Sequence, residues 1–286
     1  MSKKHIGFIG LLAVAVIWGS GFVASDIALR TLEPLGILFF RFMIAAILMS
    51  VISFRKLIRI KKVECIQGCI LGFFLFLAFT LQTVGLKYTT PSKNAFLTAA
   101  NVVIVPFIAW VIYKKKVDKF SIWGAFLAIF GIGLLSLNGS FLINKGDVLT
   151  LLCAVCFAFH IFLTAQYVKQ NDYLVLTTVQ MITAFLLSGI FLAIFSGQTF
   201  HFTAEGVGSL LYLGFFSTTI AFFLQTFSQK YTEETTAAVI LSMESVFGTL
   251  FSVILLHERI SSRMVAGCVL ILAGVLLSET KKESEA

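Results

Sequence analysis

A chain of 286 residues that is 58% hydrophobic and only 13% charged cannot hide its apolar side chains inside one or two soluble cores. Its mean hydropathy of +0.97 says the same. The net charge of +8 would suit a nucleic-acid partner, but the basic residues lie in short breaks between long apolar runs, so the composition points to a lipid bilayer and away from nucleic acid.

A bilayer core about 30 Å thick is crossed by roughly 20 apolar helical residues. Spans are predicted at 6–25, 35–54, 64–86, 93–113, 120–138, 147–167, 173–195, 205–228, 235–256 and 263–278. These runs are too long and continuous for barrel strands, so each is expected to be a helix that satisfies its own backbone. The first has the basic start of a signal peptide, but cleavage would leave nine spans and break the symmetry described below. With the N-terminus inside, 15 of the 22 Lys and Arg fall on the cytoplasmic side, chiefly in RKLIRIKK (55–62) and KKKVDK (114–119). That asymmetry predicts cytoplasmic termini, and the chain is expected in the plasma membrane, as in a bacterial inner membrane. Cys153 and Cys156 form a CxxC inside a predicted span, where buried small side chains are a better reading than a metal or redox site.

The chain repeats itself. Residues 81–89 read LQTVGLKYT and residues 224–232 read LQTFSQKYT, an offset of 143. The same offset pairs Gly124 with Gly267 and Gly131 with Gly274, small residues that let membrane helices approach closely. Two homologous halves are predicted, 1–140 and 141–286, with five helices each. Five is odd, so the second half enters the membrane inverted, an arrangement that places a substrate site near the midplane between the repeats. The expected fold is therefore all-α and integral to the membrane, with ten transmembrane helices as two inverted five-helix repeats around a central cavity.

Several stretches carry a family likeness. WGSGF at 18–22, Arg41-Phe42 in the second span and MESVFGTLFSVILLHERISSRMVAGCVLILAGVLL at 243–277 resemble the drug/metabolite transporter superfamily, in particular its EamA-type branch. The resemblance covers nearly the whole chain and is strongest in the second half. It implies a multi-pass carrier, often an exporter of amino acids, other metabolites or toxic compounds, with helices arranged as a basket around a cavity. Three positions depart from the family pattern. Gly21 stands where Asn is frequent, Ser245 where Pro commonly follows the Glu of the ninth helix, and KKKVD where an acid often follows the fourth, whereas the second half keeps Glu258.

Glu244 lies mid-span and aligns at the repeat offset with Asn101. An ionisable group facing lipid at a helix centre costs about 2.5–3.5 kcal/mol or more, so it should face the bundle interior or a wet cavity. Three roles are open to it: proton exchange, since a carboxyl deprived of water favours its neutral form; a counter-charge for a cationic substrate; or a hydrogen bond between helices. Residues three or four apart share a helix face. Trp18, Phe22 and Ser25 on the first span, Asn94, Thr98 and Asn101 on the fourth, His160, Thr164 and Tyr167 on the sixth, and Thr218, Phe222, Gln225 and Gln229 on the eighth are expected to line one cavity with Glu244. His160 is a second candidate for proton coupling or an interhelical hydrogen-bonder. Gln82 is placed at the cavity rim or across the repeat interface, and Trp18 either stacks on a substrate or packs in the core. Arg41 is expected to snorkel outward, pair with an acid such as Asp26, or gate access. Pro106 inside the fourth span should kink it, and Gly248 is the nearest counterpart in the ninth; both are candidate flex points.

These features predict a secondary active transporter, an exporter of a small organic metabolite such as an amino acid or drug-like compound, working by alternating access with protons as a candidate partner. The alternatives are a membrane-embedded enzyme or a non-transporting sensor. Against the first, no HExxH, GxSxG or Walker A pattern occurs in the chain; against the second, no segment is long enough for a soluble output domain. Neither a cofactor nor a metal is implied, and no residue is assigned a catalytic role.

Overall fold

The computed structural model describes residues 3–114, 119–136, 144–195 and 200–279. Among these every regular element is a helix. They are α1 (Lys3–Leu29), α2 (Pro34–Leu57), α3 (Lys62–Leu86), α4 (Pro91–Thr98), α5 (Asn101–Tyr113), α6 (Lys119–Ser136), α7 (Lys145–Tyr167) and α8 (Tyr173–Phe195). The rest are α9 (Ala204–Tyr212), a π-helical turn (Leu213–Ile220), α10 (Ala221–Gln229), α11 (Glu234–Ser242), α12 (Glu244–Leu256) and α13 (Ser262–Glu279). Starts are set locally. Pro34 and Pro91 sit in first turns, where no backbone donor is lost, and the side chains of Thr90, Asn144 and Thr203 accept from Lys93, Gly146 and Gly206 N–H.

Eight segments are long and apolar enough to cross a membrane. These are α1, α2, α3, α4 with α5, α7, α8, α9 through α10, and α11 with α12. The fifth and tenth predicted spans fall on α6 and α13, whose apolar windows are shorter, Ile122–Gly131 and Ser262–Gly274. Large apolar side chains stand exposed along the outer helix faces, among them Phe54, Trp123, Phe126, Phe130, Ile194 and Leu255. Exposure on that scale fits a lipid-facing surface. The chain is an all-helical, multi-pass membrane protein.

Three predicted spans are not the continuous helices expected. The fourth breaks at Ala99–Ala100, where Ala100, Val102 and Val103 N–H reach back only three residues, to Leu97, Ala99 and Ala100 O. The ninth breaks at Met243 with the same tightening, Met243 to Ile240 O and Val246 to Met243 O. α5 continues through Pro106, so the discontinuity lies ahead of the proline rather than at it. The eighth contains the π-helical turn, in which Thr218 and Thr219 hydroxyls donate to the carbonyls five residues back, Leu213 and Gly214, at 2.7 Å each.

Helix boundaries repeat at the offset seen in the sequence. α5 and α12 begin at 101 and 244, and α6 and α13 begin at 119 and 262. The two non-glycine residues with positive φ among those described are Lys114 (54°) and His257 (55°), capping α5 and α12. Across the halves, α1 packs on α9 through α12, α3 on α7 and α8, α2 on α8, and α6 on α13. Gly19 of α1 meets Phe247 and Gly248 of α12, and Gly131 of α6 meets the carbonyl of Gly267 on α13, contacts that leave no room for a Cβ. One core cluster holds Leu11, Val14, Phe96, Ile161 and Leu241, and a second holds Phe42, Phe76, Phe79 and Phe222.

Candidate functional site

The helix breaks set the site. Asn101 and Glu244 are the first residues of α5 and α12, and both line a partly open cavity whose free space, including its mouth, is about 460 Å³. α1 contributes Trp18, Gly21, Phe22 and Ser25, α2 Arg41, and α3 Phe79 and Gln82. Phe157 and Ile161 of α7, Ser217 of the π-helical turn and Leu241 of α11 complete the lining.

Each polar group there is held differently. Trp18 Nε1 donates to Ser217 O at 3.0 Å, and its ring lies 5.0 Å from that of Phe222. Gly21 lets α1 approach the same turn, since a Cβ there would sit 2.8 Å from Ser217 Oγ. Gln82 Nε2 donates to Thr98 Oγ1 at 3.2 Å. Arg41, 1% exposed, donates from Nε to Thr218 Oγ1 at 3.0 Å and lies 4.0 Å from the centre of the Phe79 ring. Its Nη2 and the Asn101 Oδ1 are buried and have no hydrogen-bond partner among the described residues. Buried polar groups are normally paired, so these are free to meet a ligand or water. The arrangement sets one carboxyl, one guanidinium and two amides among aromatic walls.

Two expectations for Arg41 do not hold. It does not snorkel, being enclosed by α3 and the π-helical turn, and it does not pair with Asp26, which binds Arg30 on its own helix at 3.1 Å. Trp18, Phe22, Asn101 and Glu244 line one cavity, with Ser25 and Gln82. Other predicted lining residues lie behind the wall. Asn94 Nδ2 donates to Gln82 O (3.2 Å) and Thr150 Oγ1 (2.9 Å), and Thr98 is occupied by Gln82. His160 Nε2 is 2.8 Å from Gln180 Oε1, with its ring edge-on to Phe222. Thr164 and Gln225 are fully buried, and Phe222 packs between Trp18, Phe79 and His160. Gly248 packs against Ala95, Phe22 and Gly19 at the crossing of α1 with α12. Pro106 stands inside α5, away from the lining.

On α7 the cavity face carries Phe157 and Ile161 rather than His160 and Thr164, a rotation of about 60° from the expected face. Polarity misled there, because the polar residues of α7 bond to neighbouring helices. Phe79 could have been found from its spacing of three from Gln82 and its match with Phe222 at the repeat offset. Gly21, Ser217 and Leu241 carry no such signal. Cys153 and Cys156 are free, and the described residues hold no cluster of three or more His, Cys, Asp or Glu able to bind a metal.

A multi-pass helical bundle with broken helices meeting at one cavity is an arrangement found in many membrane transporters. Comparison with known proteins is decisive on this point. The EamA-like transporter family matches residues 5–137 and again residues 144–280, and the chain belongs to that family. An uncharacterized transporter from Archaeoglobus fulgidus is 37% identical over 275 residues, spanning 96% of this chain and 86% of that one. A Salmonella typhimurium protein described as a "Probable amino-acid metabolite efflux pump" is 26% identical, over 97% and 95% of the two chains. A crystal structure with 18% sequence identity superposes with a TM-score of 0.71 over 98% of each chain, a likeness of fold.

Proposed function

We propose that the protein is a secondary active exporter of a small organic metabolite, driven by exchange with protons and working by alternating access between two inverted five-helix halves, 1–140 and 141–286. The observation that carries this reading is the pair of helix breaks, 143 residues apart, that bring Asn101 and Glu244 to one cavity. Discontinuous helices at a midplane site are the means by which many inverted-repeat carriers expose backbone and side chains to a substrate. The two separate matches to one family support the division into halves. On this reading α6 and α13 complete ten spans, and the termini lie in the cytoplasm of a cell whose plasma membrane holds the protein.

Within the site, Glu244 carries the proton coupling, because it lines the cavity whereas His160 is turned toward Gln180. The aromatic walls and the Arg41 guanidinium suit a metabolite with an apolar body and a charged end. The efflux pump from Salmonella is named for amino-acid metabolites, and compounds of that kind are the first to test. Cells with empty vector, the wild-type protein, or Glu244→Gln at matched membrane expression are compared by mass spectrometry of medium and cytoplasm, with and without an uncoupler. A compound should move outward only with the wild-type protein and only while the proton gradient lasts. The assignment of Glu244 is falsified if the Gln variant exports as fast as wild type.

A further inference from the structure

A second concavity, of about 1080 Å³, lies where α2 ends and α3 and α8 begin. Arg55, Lys56, Arg59 and Lys61 converge on it together with two acids, Glu64 and Asp172. Both acids are already engaged. Asp172 binds Lys56 Nζ at 2.6 Å and accepts from the backbone N–H of Leu174 at 2.9 Å. Glu64, 6% exposed, accepts from the backbone N–H of Lys61 at 3.0 Å and of Asp172 at 3.3 Å. The side chains of Arg55, Arg59 and Lys61 are exposed and have no acid partner among the described residues. Four cations therefore share one pocket with two carboxylates, an excess of two positive charges, and Glu64 is held by backbone N–H groups rather than by a cation.

The surroundings say what kind of anion fits. The pocket sits at the ends of three membrane-crossing helices, at the level where headgroups meet the hydrocarbon. From its rim an apolar surface runs along the same helices: Val51 (72% exposed), Ile52 and Ile58 (71%) on α2 and its end, Val63 and Ile66 on α3. A free phosphate would use the cations but not this surface. A lipid uses both, its phosphate among the arginines and its chains along the apolar surface; guanidinium groups bind phosphate oxygens in pairs. We propose that this pocket binds the headgroup of an anionic phospholipid. Loop charge alone explains basic residues on this face, but not their convergence on one concavity whose acids are already engaged.

The test uses the full-length protein in nanodiscs of phosphatidylcholine doped with phosphatidylglycerol, with bound lipid counted by native mass spectrometry after release. Phosphatidylglycerol should be enriched on the protein at least about tenfold over its share of the disc, and the enrichment should fall at high salt. Replacing Arg55, Arg59 and Lys61 by Gln should weaken binding by about fivefold for each charge removed, which brings phosphatidylglycerol on the protein down to its share of the disc. Lys62→Gln, which removes a charge from the first residue of α3, outside the pocket, should leave occupancy unchanged. Equal retention of both lipids by the wild-type protein overturns the proposal, and so does an equal loss in Lys62→Gln. Glycerol phosphate competing as well as the lipid would overturn it in favour of a soluble anion. If the triple variant fails to insert, the wild-type comparison of the two lipids still decides.

Discussion

The crossing of α1 and α12 beside the cavity gives a graded prediction from two glycines. A Cβ at Gly19 would lie 2.5 Å from Phe247 Cβ, 2.8 Å from Gly248 N and 2.9 Å from Phe247 C. Two of those atoms are backbone and cannot turn aside. Optimal contact between carbons is about 3.5–4.0 Å, so the helices must part by on the order of 1 Å. At Gly248 the nearest atoms are Ala95 Cβ at 3.0 Å and Phe22 Cδ2 at 3.3 Å, both side chain, and shifts of a few tenths of an ångström suffice. Overpacking costs about 1–3 kcal/mol, with Gly19→Ala toward the upper end and Gly248→Ala toward the lower. Alanine returns roughly 1 kcal/mol of helix propensity at both positions. Gly248→Ala should then be close to neutral, and Gly19→Ala should lose about 1–2 kcal/mol. At roughly 2–4 °C per kcal/mol, thermal unfolding of the purified protein followed by tryptophan fluorescence should show Gly19→Ala melting about 3–6 °C lower. Export by Gly19→Ala should also fall, because Trp18 shifts relative to Glu244. Equal Tm values for the two variants would refute the packing argument. A Gly248→Ala variant that keeps its Tm but loses export would assign Gly248 to the transport motion instead.

Two further outcomes are expected. Lys93 and Asp147 form a 2.6 Å ion pair with side chains 10% and 0% exposed, so Lys93→Met or Asp147→Leu alone should cost about 3–5 kcal/mol by stranding a charge. The double variant should recover most of that loss, and a double-mutant cycle that proves additive would contradict it. His160→Phe should lose about 1–3 kcal/mol by leaving the buried Gln180 amide without its partner, whereas His160→Phe with Gln180→Leu should restore stability and keep export. Export abolished in that stable double variant would return His160 to the proton path.

Much of the fold is legible in the sequence because hydropathy reports the centres of spans and a repeat offset reports their order. The breaks at Ala99–Ala100 and Met243 are not legible that way. They are changes of backbone hydrogen bonding by one residue inside apolar runs, and alanine and methionine are good helix formers. The clue was the alignment of Asn101 with Glu244, two polar residues at matching depth, which marked the position without revealing its geometry. The site was legible where polarity faced the cavity, as at Asn101 and Glu244, and misleading where polarity faced another helix. His160, Asn94 and Thr98 are polar because they tie α7, α4 and α3 to their neighbours. Arg41 escaped for a related reason: its partners, the Phe79 ring and Thr218, lie on other helices and carry no charge to pair with in the sequence.

α5 and α12 end in the same backbone turn but are fastened differently beyond it. Lys114 and His257 both hold a left-handed conformation, which costs a non-glycine residue about 1–2 kcal/mol, so the same strained exit from the helix is kept in both halves. Immediately after His257, Glu258 accepts from the Ser92 hydroxyl at 2.7 Å and the Ser92 N–H at 3.3 Å, and also meets the Ser252 hydroxyl. That carboxylate ties the end of α12 to the first turn of α4, where backbone N–H groups favour negative charge. One step after Lys114 the sequence has Lys115, and an ammonium group has no lone pair with which to accept from a helix start. The Glu258 contact therefore has no chemical counterpart at the position related by the repeat, and Lys93 and Asp147, an ion pair one residue further along α4, align with Thr236 and Lys4, which cannot form one. If the two halves exchange roles as proposed above, unequal fastenings give the two states unequal energies. The bond network holds the ends of α4, α7 and α12 together at one end of α12, and Glu244 stands at the other.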